Sequence, residues 1–149
     1  FSLARGSLTV VTGRVGSGKT TLLRALLGLL PPERGDVRWN GRRVADPARF
    51  FAPPRSAYTP QVPRLFSESL RDNIAQGWPA DDAALDAALQ RAVFRDEVAG
   101  LEAGLATQVG PRGARLSGGQ VQRAAAARML LREPALLVCD DLSSALDVN

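Results

Sequence analysis

A glycine-rich octapeptide limits the possible folds of this chain more than any other part of its sequence. It contains the only lysine of the chain. GRVGSGKT, residues 13–20, fills every fixed position of the pattern G-x-x-x-x-G-K-[ST]. The β-branched run SLTVVTG (7–13) precedes it, and TTLLRALLGLL (20–30) follows with leucines at helical spacing. The sequence therefore predicts a phosphate-binding loop between a buried strand and a helix that Pro31-Pro32 stops.

The chemistry of this loop comes from its glycines and from its last three residues. Glycines let the backbone bend so that its N–H groups converge on phosphate oxygens, and the dipole of the following helix adds to the attraction. Lys19 supplies a mobile positive charge, and Thr20 offers a hydroxyl to Mg²⁺. The predicted nucleotide-binding residues are Gly13, Arg14, Val15, Gly16, Ser17, Gly18, Lys19, Thr20 and Thr21.

Two adjacent carboxylates follow an apolar run near the end of the sequence. Residues 136–141 read LLVCDD, and such a pair can simply mark the solvated end of a strand. A phosphate-binding loop also needs a metal-holding acid, commonly placed at the end of an apolar strand of the same sheet. The loop at 13–20 therefore favours Asp140 as the acid that holds Mg²⁺.

The remaining pattern predicts an α/β core interrupted by helices. GDVRWNGRRV (35–44) is typical of a hairpin with Asn40-Gly41 as its turn, and a short strand is expected at residues 56–59. Beyond these, short helices with N-terminal acids are predicted, then a firmer helix from SGGQVQRAAAARMLLREP and a closing strand, ALLVCD. We expect a core of about 1–61 and 131–149, with a helical subdomain of about 62–130.

LSGGQVQR, residues 116–123, adds a second candidate anion site. Two glycines behind a serine at the start of a helix make an N-terminus suited to anions, here without a lysine. One chain with two such helix ends suggests that the two ends do not serve the same nucleotide.

Five motifs in order now carry a resemblance that covers essentially all 149 residues. The chain resembles the nucleotide-binding domain of an ABC (ATP-binding cassette) transporter, a P-loop NTPase fold. The motifs are the Walker A loop at 13–20, the Q-loop YTPQ ending at Gln61, the signature LSGGQ at 116–120, the Walker B strand ending at Asp140, and the D-loop SALD at 144–147. PQVPRLFSESLRDNIAQG and TQVGPRGARLSGGQ look most like the exporter type.

The resemblance implies ATP and Mg²⁺ as ligands, with roles for particular residues. Gln61 is expected to contact Mg²⁺ and the attacking water, so that Thr20, Gln61 and Asp140 form the metal set. The signature residues would contact ATP bound on an opposite subunit, and the D-loop would link the two sites. These sets are Leu116, Ser117, Gly118, Gly119 and Gln120 for the signature, and Ser144, Ala145, Leu146 and Asp147 for the D-loop.

Asp141 departs from the family pattern, which usually has glutamate after the Walker B aspartate. The resemblance makes Asp141 and Gln61 the catalytic pair. Aspartate draws its carboxylate back by on the order of 1 Å, and such a misplacement can cost about a hundredfold in rate. We therefore expect a degenerate site that pairs with a glutamate-bearing partner in a heterodimer; a slowly hydrolysing homodimer is the alternative. Pro111 is a smaller departure, because exporters often have an acid there.

The resemblance also implies partners and a location. The expected partners are a second nucleotide-binding domain and transmembrane domains fused upstream, at the cytoplasmic face of the cell membrane. The sequence contains no histidine, so the family's switch histidine is missing, and no upstream aromatic suits adenine stacking. We therefore expect a fragment of a larger polypeptide, incomplete at both ends of the fold.

The distribution of arginines and the spacing of the motifs are relevant to the other classes of protein to which this chain could belong. The arginines are scattered rather than clustered, and no heptad run lies between Lys19 and Ser117, so nucleic acid is not an expected partner. A non-transport ABC ATPase and a regulatory ATP-binding module stay open as alternatives. Cys139, the only cysteine, is expected to be a buried, inert thiol.

Overall fold

The computed structural model describes residues 1–110 and 116–140. The chain divides into two compact units, residues 1–50 and the part from residue 51 onward. The subdomain boundaries predicted from the sequence stay a prediction. Within the described ranges, no helix combines the length and the apolar character that a bilayer crossing requires.

The first unit contains two helices and a hairpin. Its elements are α1 (Lys19–Leu26), β1 (Arg38–Trp39), β2 (Arg42–Arg43) and α2 (Pro47–Phe50). The strands pair antiparallel, Arg38 with Arg43 and Trp39 with Arg42, which confirms the predicted hairpin. Asn40 and Gly41 both have positive φ, 49° and 78°, as a two-residue turn of this kind requires.

Two predictions for the first unit are wrong. Residues 7–13 form no strand, and Leu8 and Val10 are 91% and 72% exposed. No described strand pairs with this run, so its backbone lacks the ladder bonds that would make it a strand. The helix also ends before Pro31-Pro32. It stops at Leu26 because Gly28 takes a left-handed conformation, φ 73°, and the Leu29 N–H returns to the Arg24 carbonyl oxygen at 2.8 Å.

In the described part of the second unit, two parallel strands lie beside four helices. Its elements are β3 (Ser56–Thr59), α3 (Leu70–Ala75), α4 (Asp82–Arg91), α5 (Arg95–Ala99), a 3₁₀ turn (Gly104–Ala106), α6 (Gly118–Leu131) and β4 (Leu136–Cys139). β3 and β4 pair in parallel, from Ser56 opposite Leu136 to Thr59 opposite Cys139. The predicted strand at 56–59, the firm helix after Ser117 and the closing strand are confirmed.

The apolar core of this unit lies among the helices. Leu70, Leu85 and Phe94 are fully buried, each from a different part of the helical region. Helix α6 contributes mainly alanines, which let neighbouring helices approach closely. The buried cluster comprises Leu70, Ile74, Leu85, Ala88, Leu89, Ala92, Phe94, Val98, Val109, Ala124, Ala127 and Leu131.

Polar residues begin three of these helices, as their sequences predict. The Ser69 hydroxyl accepts from the Asp72 N–H at the start of α3, and the Asp81 carboxylate accepts from the Ala84 N–H at the start of α4. At α6, Ser117 Oγ accepts from the Gln120 N–H, while Gln120 Oε1 accepts from the Ser117 N–H at 2.8 Å. This reciprocal capping box satisfies two backbone donors of the first turn.

Cys139 does not occupy the buried position predicted for it. Side chains alternate along β4, so Val138 is buried whereas Leu137 and Cys139 are exposed. The protein atoms around the thiol still displace enough water to raise the pKa of Cys139 above its usual value.

Candidate nucleotide-binding site

The glycine-rich loop has a backbone that most other residues could not adopt. Gly16 and Gly18 have φ of 80° and 88°, and Gly18 is the residue from which α1 begins. At Gly13, an added Cβ would lie 2.7 Å from Ser17 Oγ, which is closer than nonbonded contact permits. The loop therefore turns sharply into the N-terminus of α1, the geometry that directs backbone N–H groups toward an anion.

Lys19 closes this loop with its side chain. Its Nζ donates to the carbonyl oxygens of Gly13 and Arg14, at 2.9 and 3.0 Å. The ammonium group thus lies against the first residues of the loop, and Val15, at the tip, is fully exposed. Glycine turns, a helix N-terminus and a single ammonium form a donor set that fits the phosphates of a nucleotide.

Asp140 follows β4 directly and is buried, at 8% exposure. Its N–H donates to the Thr59 carbonyl oxygen at 2.9 Å, which continues the parallel ladder by one residue. Its carboxylate Oδ2 accepts from the Tyr58 hydroxyl at 3.3 Å. A buried carboxylate at the end of a parallel strand suits a metal that is also held by phosphate oxygens.

Gln61 lies at the same edge of the sheet as Asp140. It comes two residues after β3, and the carboxyl ends of parallel strands meet at one edge. The backbone carbonyl of Gln61 accepts from Gln122 Nε2, at 3.0 Å, on helix α6. The structure therefore brings Gln61, Asp140 and one side chain of α6 to one end of the second unit.

The signature residues start α6 with an exposed N-terminus. Ser117 and Gly118 are exposed, and a Cβ on Gly118 would meet no atom within 4 Å. Leu116, by contrast, is partly buried and packs against the apolar core. The start of α6 is thus anchored to the core through Leu116, while Ser117 and Gly118 stay accessible to another molecule.

The predicted site residues fall in three groups. Residues 13–21 form a continuous loop and helix start in the first unit. Gln61, the signature and Asp140 lie in the second unit. Asp141, the departure at Pro111 and the D-loop lie outside the described residues; the D-loop comprises Ser144, Ala145, Leu146 and Asp147.

Four further residues near these groups were missed by sequence reasoning. Tyr58 contacts the Asp140 carboxylate, and Gln122 contacts the backbone of Gln61. Asn73 and Arg128 bond to backbone carbonyls around the segment that follows Gln61. The sequence offered little signal for them, because the spacing of residues does not show which distant group a polar side chain contacts.

A comparison with protein families identifies the class. The family profile described as ABC transporter matches residues 1–144, nearly the whole chain. The chain belongs to the ABC transporter family, as its motifs predict.

Two individual proteins similar to this chain are also transporters. The chain is 36% identical over 150 residues to a probable multidrug resistance ABC transporter ATP-binding/permease protein, YheI, of Bacillus subtilis, covering 100% of this chain and 26% of YheI. It is 38% identical over 150 residues to antigen peptide transporter 2 of Homo sapiens, covering 100% of this chain and 22% of that protein.

A solved structure of a bacterial Atm1-family ABC exporter with ATP bound is similar in fold. The TM-score is 0.81 at 37% identity, over 91% of this chain and 24% of that chain. This similarity confirms the predicted ABC ATPase fold and the resemblance to exporters. The chain spans about a quarter of the length of the curated relatives it matches.

Proposed function

We propose that this chain is the ATP-binding domain of an ABC exporter in which two such domains enclose two ATP molecules head to tail. In this arrangement the loop at 13–20 binds ATP on its own subunit. The signature at 116–120 then contacts the ATP of the opposite subunit.

The observation that carries this proposal is the presence of two differently equipped helix N-termini. The start of α1 has a glycine loop and the Lys19 ammonium, which lies within hydrogen-bond distance of that loop. The start of α6 has an exposed serine and glycine, with their own capping bonds satisfied and no lysine. A helix end with dipole and N–H groups but no cation suits a phosphate whose charge is largely balanced from another side.

Different residues of the chain would bind the phosphates and the metal. The backbone of residues 13–19 and Lys19 hold the phosphates, while Thr20, Gln61 and Asp140 would hold Mg²⁺, directly or through water. When bound, Mg²⁺ neutralises charge on the phosphate oxygens during hydrolysis. The Tyr58 hydroxyl and the Thr59 carbonyl orient Asp140 for that role.

Asp141 is proposed to be a weakened base. The shorter side chain leaves ATP binding intact but places its carboxylate on the order of 1 Å too far back to activate water efficiently. Its subunit would still supply a complete signature to the competent site of a glutamate-bearing partner. A heterodimer follows from this proposal, and a slow homodimer is the alternative.

The membrane partner is proposed to contact the segment after Gln61. Val62 and Phe66 are 74% and 56% exposed there, so two large apolar side chains of this segment are accessible to a partner. Transmembrane domains that cover them would place this domain at the cytoplasmic face of the membrane and couple its ATP cycle to export.

The deciding experiment compares Asp141→Glu with wild type in the full-length transporter assembled with its natural partner. We expect ATP turnover to rise by about tenfold or more, because glutamate restores the reach of the base, while equilibrium ATP affinity stays within about twofold. Lys19→Ala serves as the control that loses ATP binding.

Two results would contradict the proposal. Unchanged or reduced turnover in Asp141→Glu, together with brisk hydrolysis by wild type alone, would make aspartate the working base and favour a homodimer. Failure of the wild-type transporter to bind ATP would refute the ATPase function itself.

A further inference from the structure

Helix α6 holds both ends of the segment that follows the Q-loop glutamine. Gln122 Nε2 donates to the Gln61 carbonyl oxygen at 3.0 Å. Six residues further along α6, the Arg128 guanidinium reaches the Arg64 carbonyl oxygen at 3.4 Å through both terminal nitrogens. Arg128 Nε also donates to the Asn73 carbonyl oxygen at 2.8 Å. Residues 61–64, the linking segment, are thus tied to one helix at each end.

The acceptors in this arrangement are all backbone carbonyls. α6 therefore holds the path of the linking segment rather than the identity of its side chains, and Val62 within it stays exposed. A carbonyl cannot change its charge, so these bonds respond to position alone. Displacing the segment must either break them or move α6.

Arg128 is held by backbone carbonyls rather than by a carboxylate. Burial of the guanidinium, with the charge of Arg132 nearby, lowers the pKa of Arg128 from its usual value. Among the described residues, Arg128 forms no ion pair with a carboxylate. The carbonyl contacts are therefore what offsets the lost hydration, and giving them up would be costly.

The same helix carries the signature at its other end. α6 runs from Gly118 to Leu131 and begins at the Ser117–Gln120 capping box. A helix of this length extends about 20 Å and moves largely as one piece. Gln122 lies in its second turn, so a shift at Gln61 reaches the capping box over less than one helical turn.

Gln122 has one polar atom that the observed arrangement leaves unsatisfied. Its Oε1 is buried and has no hydrogen-bond partner within residues 1–110 and 116–140. A buried amide oxygen without a donor costs free energy, and such atoms are uncommon in folded proteins. The unsatisfied atom lies at the junction between the linking segment and α6.

We propose that Gln122 and Arg128 are positioning residues that tie the linking segment to the helix bearing the signature, so that movement at Gln61 repositions Ser117. Neither residue touches ATP in this proposal; each acts through the backbone of residues 61–64. The inference rests on the proposed function, because it assumes that Gln61 and Ser117 serve ATP sites.

The test uses the full-length transporter, assembled with its natural partner in lipid, and the variants Gln122→Ala, Arg128→Lys and their combination. Each single variant should lower kcat for ATP about tenfold and leave the KM for ATP and the binding of a non-hydrolysable ATP analogue within about twofold. The double variant should lose little more than the larger single effect, because both residues hold one segment. Gln122→Ala keeps the test informative if Arg128→Lys folds poorly.

Arg91→Lys is the matched control. Arg91 Nη2 also donates to a carbonyl of α6, that of Leu130 at 3.1 Å, but it contacts neither the linking segment nor the signature end. It should leave kcat unchanged.

Three outcomes would overturn the inference, provided that wild type binds and hydrolyses ATP. They are a kcat equal to that of wild type in both single variants, strictly additive losses of kcat in the double variant, and an equal loss of kcat in Arg91→Lys. A lowered unfolding temperature with unchanged kcat would assign Gln122 and Arg128 a structural role only and overturn it as well. If wild type bound no ATP, the proposed function would fail together with it.

Discussion

The backbone N–H of Asp140 donates to the Thr59 carbonyl oxygen at 2.9 Å, and this bond joins the ends of two strands far apart in sequence. It places the Walker B aspartate at the sheet edge from which the chain continues to Gln61. The carboxylate accepts a hydrogen bond from the Tyr58 hydroxyl, and the strand sets the direction of the backbone from which it projects. Contacts within the protein thus position Asp140.

Asp140→Asn should remove the dependence of ATP affinity on Mg²⁺. The amide keeps the shape of the side chain but loses the charge that attracts the metal, so wild type should bind Mg-ATP about tenfold more tightly than the variant does. Affinity for ATP in EDTA should be equal for the two proteins. Titration of ATP binding with and without Mg²⁺ measures both values. A Mg²⁺ effect that survives in Asp140→Asn would exclude Asp140 as a metal ligand.

Asn73→Ala should destabilise the domain by about 3 kcal/mol. Asn73 is fully buried; its Oδ1 accepts from the Phe66 N–H at 2.7 Å, and its Nδ2 donates to the Phe66 and Ser69 carbonyl oxygens at 3.0 Å each. Truncation removes the acceptor of the Phe66 N–H and the side-chain donor of both carbonyl oxygens, which then keep only the backbone N–H groups of Glu68 and Asn73. Thermal unfolding of the full-length protein reports the loss. Asp72→Ala, one residue earlier and exposed, should change the midpoint little, and equal effects would show that Asn73 bonding is unimportant.

Val93→Gly should stabilise the domain. Val93 follows α4 with φ of 53° and is 81% exposed, while the Phe94 N–H returns to the Leu89 carbonyl oxygen at 2.9 Å. A β-branched residue is strained in this left-handed position, where glycine is favoured. Glycine also loses more backbone entropy on folding. We therefore expect a net increase of about 0.5–1 kcal/mol in the free energy of unfolding, or roughly 2 °C in the unfolding midpoint. Ala92→Gly, at the C-cap of α4 with φ of −83°, relieves no left-handed strain and should lower the midpoint instead.

Gly28→Ala should destabilise the first unit by more than the backbone strain of an alanine at positive φ. Gly28 occupies the same position after α1 that Val93 occupies after α4, but a Cβ there would lie 2.2 Å from the Ala48 backbone nitrogen. We expect a loss above about 2 kcal/mol, since backbone must move to admit the methyl group. Gly35→Ala is the matched control, because Gly35 has φ of 91° and no atom within 4 Å of the added Cβ. Similar losses in the two variants would show that the contact with Ala48 is not what requires glycine.

Local rules in the sequence determined much of this protein. Asn40-Gly41 made the hairpin, because two residues of positive φ match the twist of paired strands. Ser117 with Gln120 made the start of α6, because a side chain can satisfy backbone donors within one turn. The ordered motifs also identified the family, since each depends on neighbouring residues rather than on contacts across the fold.

Only the tertiary structure decided which distant groups meet. The parallel pairing of β3 with β4 brings Tyr58 to Asp140, 82 positions away, and no spacing rule predicts that contact. The carbonyl contacts of Gln122 and Arg128 depend on how α6 packs, because long polar side chains have many partners open to them. The apolar run at 7–13 shows the converse: strand-like composition does not make a strand unless another strand pairs with it, since a strand's hydrogen bonds lie outside its own sequence.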